Sequence, residues 1–157
     1  MQLLLPDRIA RKLVDSLTRA GSREIGGILM GEHVAEGTFR VIEITVQDAH
    51  STFSSFVRLM RGVMTPLNRF FNRTQRDYRR FNYLGEWHSH PSFALLPSEH
   101  DRRAMRTIVD DPMVGANFAT LLIVRLDGDL LSGGVFIFLH GGGGYAGRLV
   151  IEETTDA

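Results

Sequence analysis

Cysteine is absent from the 157 residues. That absence excludes a disulfide framework, a thiolate zinc finger, an iron–sulfur cluster and a cysteine nucleophile. Any metal must be held by His, Asp or Glu. Lysine is almost absent as well: Lys12 stands alone, so 17 of the 18 basic residues are Arg. Net charge is zero, from 18 basic and 18 acidic residues. A strongly steered nucleic-acid or membrane binder is usually lopsided, so neither partner is expected. The apolar stretch Phe118 to Val124 is far too short to cross a bilayer. The opening MQLLLPDR lacks a basic start, a sufficient apolar run and a cleavage site, so it does not read as a secretory signal. The expectation is a cytoplasmic protein.

What is present is ordinary globular material. Apolar residues make up 43% and include ten Phe, enough to bury a core without staples. The length suits one domain over residues 1–157. Asp7 to Ala20 reads as a helix, with Ile9, Leu13 and Leu17 at helical spacing, Pro6 at its start and Gly21 at its end. Glu24 to Gly31 (EIGGILMG) reads as a strand whose glycines signal a bulge or a close approach by another group. HVAEG forms a turn before an alternating strand, Phe39 to Gln47. Ser51 to Arg58 is ambiguous. Arg61 to Arg80 reads as a second helix, with Val63, Leu67, Phe70, Phe71, Tyr78 and Phe81 on one stripe and Arg on the other side.

Tyr83 to His90 reads as a strand and Ser98 to Val109 as a third helix. Ala119 to Leu126 and Gly134 to Leu139 read as strands joined at Asp127–Gly128–Asp129. Gly141 to Gly144 turns into a last strand, Arg148 to Glu152. Helices among mostly hairpin-linked strands predict a mixed α/β fold, a central mixed sheet flanked by helices.

Three of the six His gather at His88, His90 and His100. On a strand, residues two apart face the same way, so His88 and His90 can reach one ion while Ser89 points oppositely. Ser98 and Asp101 share one side of the third helix at its start. The segment Pro91 to Pro97 can fold that start back over the strand end. The result is a His–His–Asp set with an open fourth position, the arrangement of a catalytic rather than a structural zinc.

His88-Ser89-His90-Pro91, the segment to Pro97, then Ser98 and Asp101 resemble the JAMM (MPN-plus) metalloprotease motif at every defined position. Glu24 in EIGGILMG matches the upstream Glu of that family. The resemblance implies a curved JAMM/MPN-like, cytidine-deaminase-like sheet and one Zn²⁺ per chain on His88, His90 and Asp101. It implies Glu24 as general base, then proton donor to the leaving amine, and Ser98 as donor to the oxyanion. It implies a deubiquitinase-like isopeptidase or peptidase. The chemistry agrees: amide hydrolysis without a Ser or Cys nucleophile needs an activated water and a carboxylate beside it.

The wording GEWHSHP resembles the compact prokaryotic branch of the family, which includes peptidases of bacterial antiphage operons. The implied substrate is a ubiquitin-like protein, cleaved after its C-terminal glycine, or its conjugates. Activating- or conjugating-enzyme homologues are implied as operon partners. Processing of a β-grasp sulfur carrier and a non-catalytic scaffold are the competing readings. Phe93, Leu95 and Leu96 either pack inward or dock a substrate tail. Arg73 and Arg76, on the Arg-rich segment, form a solvated face or meet an acidic patch on the substrate. Glu86 is a candidate outer partner for a ligand imidazole.

Overall fold

A computed structural model describes residues 1–48 and 56–153, with residues 56–64 described as backbone only. In chain order the elements are β1 (Gln2–Pro6), α1 (Asp7–Ala20), β2 (Ile25–Ala35), β3 (Thr38–Ile44), β4 (Gln47–Asp48) and α2 (Phe56–Arg73). Then come β5 (Phe81–Ser89), α3 (Glu99–Asp110), β6 (Phe118–Asp127), β7 (Leu130–Leu139), β8 (Gly144–Ala146) and β9 (Arg148–Glu152). The strand order is β8-β7-β6-β5-β2-β3-β1-β9, with β4 added beside β2. β1 runs parallel to β3 and β9, and β5 parallel to β6; the other pairs are antiparallel.

The curvature of this sheet follows from its ends. β8 and β9 lie at opposite ends of the strand order, yet only Gly147 separates them in sequence. The sheet must therefore curl until its edges meet. Gly147 N–H donates to the Val135 carbonyl at 2.8 Å, and Arg148 N–H donates to the Met1 carbonyl at 3.0 Å. The fold is a nearly closed, curved mixed sheet flanked by helices.

Each face buries its own core. α1 puts Ile9, Leu13 and Leu17 against Leu29, Trp87, Leu122 and Val135. On the opposite face α3 puts Met105, Ile108 and Val109 against Leu121 and Ile123. Phe70 of α2 covers Ile28 and Met30 beside them. Gly27 is required by contact rather than by a turn: a Cβ there would stand 2.0 Å from the Thr45 carbonyl oxygen. That carbonyl accepts the Trp87 indole N–H at 2.8 Å. Among the described residues no helix is long and apolar enough to cross a membrane.

The structure departs from the sequence reading at several places: the strand read over Phe39 to Gln47 ends at Ile44 and resumes as the short β4, the second helix starts at Phe56, and β7 starts at Leu130. β1 and β8 form where no strand is expected. β2 continues through His33 to Ala35, because β3 pairs with it as far as Ala35 and outweighs the local turn signal. The second helix ends at Arg73. Gln75 and Arg76 both have φ of 56°, which stops the helix, and Phe81 opens β5 instead of extending the apolar stripe. Ser51, where the ambiguous segment begins, and residues up to 55 lie outside the described residues, as does the side chain of Val63.

Candidate metal centre

β5 delivers the first two groups. His88 lies within the strand, and His90 prolongs it, donating its backbone N–H to the Val124 carbonyl of β6 at 2.9 Å. Both imidazoles emerge on the α3 side, and both residues are only 8% exposed. Trp87 and Ser89 take the other face by strand alternation. Ser89 is fully buried, and its hydroxyl accepts the Ile25 backbone N–H at 3.0 Å.

α3 delivers the third group. Ser98 is its N-cap: the Ser98 hydroxyl accepts the Asp101 N–H at 3.1 Å, and the Asp101 carboxylate accepts the Ser98 N–H at 2.7 Å. This capping box fixes the rotamer of Asp101 and turns its carboxylate toward the strand. Asp101 Oδ1 lies 3.6 Å from His88 Nε2, and Oδ2 lies 3.7 Å from His90 Nε2. The two Nε2 atoms are 3.0 Å apart.

These distances test the fit of a cation. Ligand atoms about 2.05 Å from a tetrahedral zinc lie about 3.3 Å from one another. The three observed separations bracket that value, and the ligand atoms all lie within 4.8 Å of each other. The tautomer fits too. The Ala94 carbonyl, 2.8 Å from His90 Nδ1, can only accept, so Nδ1 carries the proton and Nε2 keeps its lone pair. The three residues suit one divalent ion.

Glu24 stands across from this set. β2 and β5 pair antiparallel with Gly26 opposite His88. Two residues further on, the same register puts Glu24 opposite His90 on the same face. Glu24, Ser98, His88, His90 and Asp101 all line one cleft of about 470 Å³. Burial pushes Asp101 up, but hydrogen bonding and charge from His88, with the backbone and hydroxyl of Ser98, hold it well below the usual carboxylate range. Burial, and then the charge of Asp101, pushes Glu86 up to about 8.

The remaining candidates divide. Phe93 lines the cleft, is 60% exposed and stands edge-on to His90 with ring centroids 6.1 Å apart. Leu95 instead packs against the α3 core, while its neighbour Leu96, 61% exposed, takes the cleft-facing place. Arg73 pairs with Glu43, and Arg76 donates to Asn72 at 3.4 Å; neither lines the cleft. His100 sits exposed at the cleft wall, outside the ligand cluster. Two participants escape a reading of motifs. The Ala94 carbonyl leaves no trace in side-chain identity. The contact of Ser89 is hinted at only by its place between two histidines.

A curated relative, "CD-NTase/cGAS isopeptidase" from Enterobacter hormaechei subsp. hoffmannii, is 30% identical over 109 residues, 68% of this chain. The chain spans 57% of that relative's length. The solution structure of protein DSY2949 from Desulfitobacterium hafniense superposes with a TM-score of 0.65 at 15% identity, covering 98% of this chain and 95% of that one. That likeness concerns the fold. Residues 6–133 match the family described as prokaryotic homologs of the JAB domain, and the chain belongs to that family.

Proposed function

We propose that this protein is a zinc-dependent isopeptidase or peptidase that hydrolyses the bond after the C-terminal glycine of a ubiquitin-like protein. The observation that carries the reading is the convergence of His88, His90 and Asp101 on one ion-sized space, with Glu24 in the same cleft. The name of the curated relative, a CD-NTase/cGAS isopeptidase, supports the reaction class. A place beside conjugation machinery in a bacterial defence pathway of the cytoplasm belongs to the same proposal.

His88, His90 and Asp101 would hold the metal. A zinc ion held there supplies Lewis acidity, activating water and polarising a carbonyl. The chain's own groups do the rest. Glu24 accepts a proton from the attacking water, whose oxygen bonds to the scissile carbonyl carbon. Ser98 donates a hydrogen bond to the carbonyl oxygen as it becomes negative. Glu24 then passes its proton to the amine as the C–N bond breaks. Phe93 and Leu96, exposed at the cleft mouth, offer apolar contact to the extended tail that enters.

The test uses fusions and lysine-linked conjugates of candidate ubiquitin-like proteins, read by intact mass with and without chelator. Cleavage after the terminal glycine is expected, lost with chelator and restored by Zn²⁺. Glu24→Gln should retain zinc and lose cleavage. Purified protein that binds no zinc, together with a Glu24→Gln variant that cleaves normally, overturns the reading.

A further inference from the structure

The segment from Pro91 to Pro97 joins the end of β5 to α3 and has little of its own to hold it. Among the described residues, no backbone–backbone hydrogen bond involves residues 91–97. A loop without such bonds opens easily unless side chains fix it. Two side chains do so. His90 Nδ1 donates to the Ala94 carbonyl at 2.8 Å, and Arg125 Nη1 donates to the Phe93 carbonyl at 3.1 Å. Leu95 adds packing against the α3 core. β7 backs the loop so closely that a Cβ on Gly134 would stand 2.8 Å from the Leu95 carbonyl oxygen.

Arg125 is itself held for this contact. It lies on β6, where alternation puts it on the same face as Leu121 and Ile123, the α3 side. Asp127 shares that face, and its Oδ1 accepts the Arg125 Nε–H at 2.9 Å. Ser132 stands opposite Arg125 on β7 and donates its hydroxyl to Asp127 Oδ2 at 2.7 Å. Serine, aspartate and arginine thus form a chain of hydrogen bonds that fixes the guanidinium and ends on the loop backbone. The Arg125 and Asp127 side chains are 33% and 49% exposed, so the pair adds little to global stability. Its effect is local, on a loop that sets the Ala94 carbonyl beside His90 and holds Phe93 and Leu96 out at the cleft mouth.

We infer that Arg125 is a positioning residue of the metal centre: by holding the Phe93 carbonyl it keeps the loop where the Ala94 carbonyl orients the His90 imidazole and where Phe93 and Leu96 meet an incoming chain. The inference rests on the metal site and substrate cleft proposed above. Arg125 belongs neither to the ligand cluster nor to the cleft lining. It acts through one carbonyl, and the next carbonyl along the chain is the partner of His90. Partners just outside the ligand set commonly change metal affinity about 10–100-fold. Here that partner is a backbone group, which only the conformation of the loop can place.

The experiment compares wild type, Arg125→Ala and Arg125→Lys, each stripped of metal. Zinc affinity is measured by competition with a chromophoric chelator, and melting temperature is read without metal. Arg125→Ala should bind zinc about tenfold more weakly. Its metal-free melting temperature should stay within about 4 °C of wild type. Arg125→Lys, which keeps a donor for the Phe93 carbonyl, should lie between the two. At saturating zinc, with a ubiquitin-like fusion that wild type cleaves, Arg125→Ala should raise KM by a larger factor than it lowers kcat. The zinc measurement needs no substrate, so it tests the inference even if the substrate reading fails. Equal zinc affinity in wild type and Arg125→Ala overturns the inference while leaving the metal site standing. So does a metal-free melting temperature lower by more than about 10 °C in both variants, since Arg125 would then support the whole fold. A wild-type protein that binds no zinc removes the site and this inference together.

Discussion

The hydroxyl of Ser89 accepts the backbone N–H of Ile25 at 3.0 Å, inside the sheet and on the face away from the metal centre. Ser89 lies between His88 and His90, and Ile25 follows Glu24. One buried hydrogen bond therefore ties the segment that carries Glu24, the proposed general base, to the strand that carries the two histidines proposed as ligands. Positioning a base to within about 1 Å decides rate by factors near 10². The serine of His-Ser-His thus works from the opposite side of the strand.

Ser89→Ala removes that acceptor and leaves the Ile25 N–H buried and unpaired. Unfolding in urea should show a loss of about 1–3 kcal/mol. Cleavage should fall by at least about tenfold through the displacement of Glu24. Zinc affinity should change little, because both imidazoles project from the other face. A variant that cleaves at the wild-type rate would separate Ser89 from the placement of Glu24.

The proposed oxyanion role of Ser98 and its observed role as helix cap differ in size, so one substitution can separate them. As N-cap its hydroxyl holds the first turn of α3. Losing a serine cap costs about 1 kcal/mol of stability. An oxyanion donor is worth roughly 10²–10³ in rate. Ser98→Ala should therefore stay folded at 25 °C and lose kcat by about 10²-fold or more, with KM little changed. A kcat loss below about fivefold would leave Ser98 as a helix cap alone.

The legibility of this molecule in its sequence follows the range of the interactions involved. α1 was readable to the residue, since its periodic stripe and its terminal Pro6 and Gly21 are local signals. The His88–His90 pair and the Ser98–Asp101 box were readable for the same reason: strand and helix periods fix them. β1 was not. QLLLP is too short to show alternation, and its partners β3 and β9 lie far along the chain. In sequence the apolar stripe runs on to Phe81 and puts Arg76 on a helix face, but two residues of positive φ intervene. Leu95 and Leu96 are chemically alike, and only the closure of the loop over α3 decides which of them meets the cleft.

Gly85 has φ of 143°, and a Cβ there would stand 1.9 Å from the Thr120 carbonyl oxygen and 2.5 Å from its nitrogen. These are backbone atoms of the adjacent parallel strand β6, so they cannot swing aside. Gly85→Ala should cost at least about 3 kcal/mol in urea unfolding. Because the bulge that Leu84 and Gly85 form in β5 stands just before the proposed ligands His88 and His90, zinc affinity should fall with stability in any protein that still folds. Wild-type stability in this variant would mean that β5 and β6 can part without consequence.

The last prediction concerns acid. Arg40 of β3 donates from Nε and Nη2 to the Glu152 carboxylate of β9 at 3.0 and 2.9 Å, bridging over β1. The hydrogen bond from Arg40 holds Glu152 below its ordinary value, against the opposing effect of burial and with the help of the Arg40 charge. A carboxylate depressed in the folded state stabilises the fold above its unfolded pKa. That contribution disappears as pH falls through the folded value. The side chains are 32% and 31% exposed, so solvent screening limits the pair. Glu152→Gln should therefore lose only about 0.5–1 kcal/mol near neutral pH. The gap between wild type and variant should narrow as pH drops from about 5 and close below the usual carboxylate range. Urea titrations at about pH 7, 5 and 3 measure it. A gap that persists undiminished at the lowest pH would show that the pair acts through packing rather than charge.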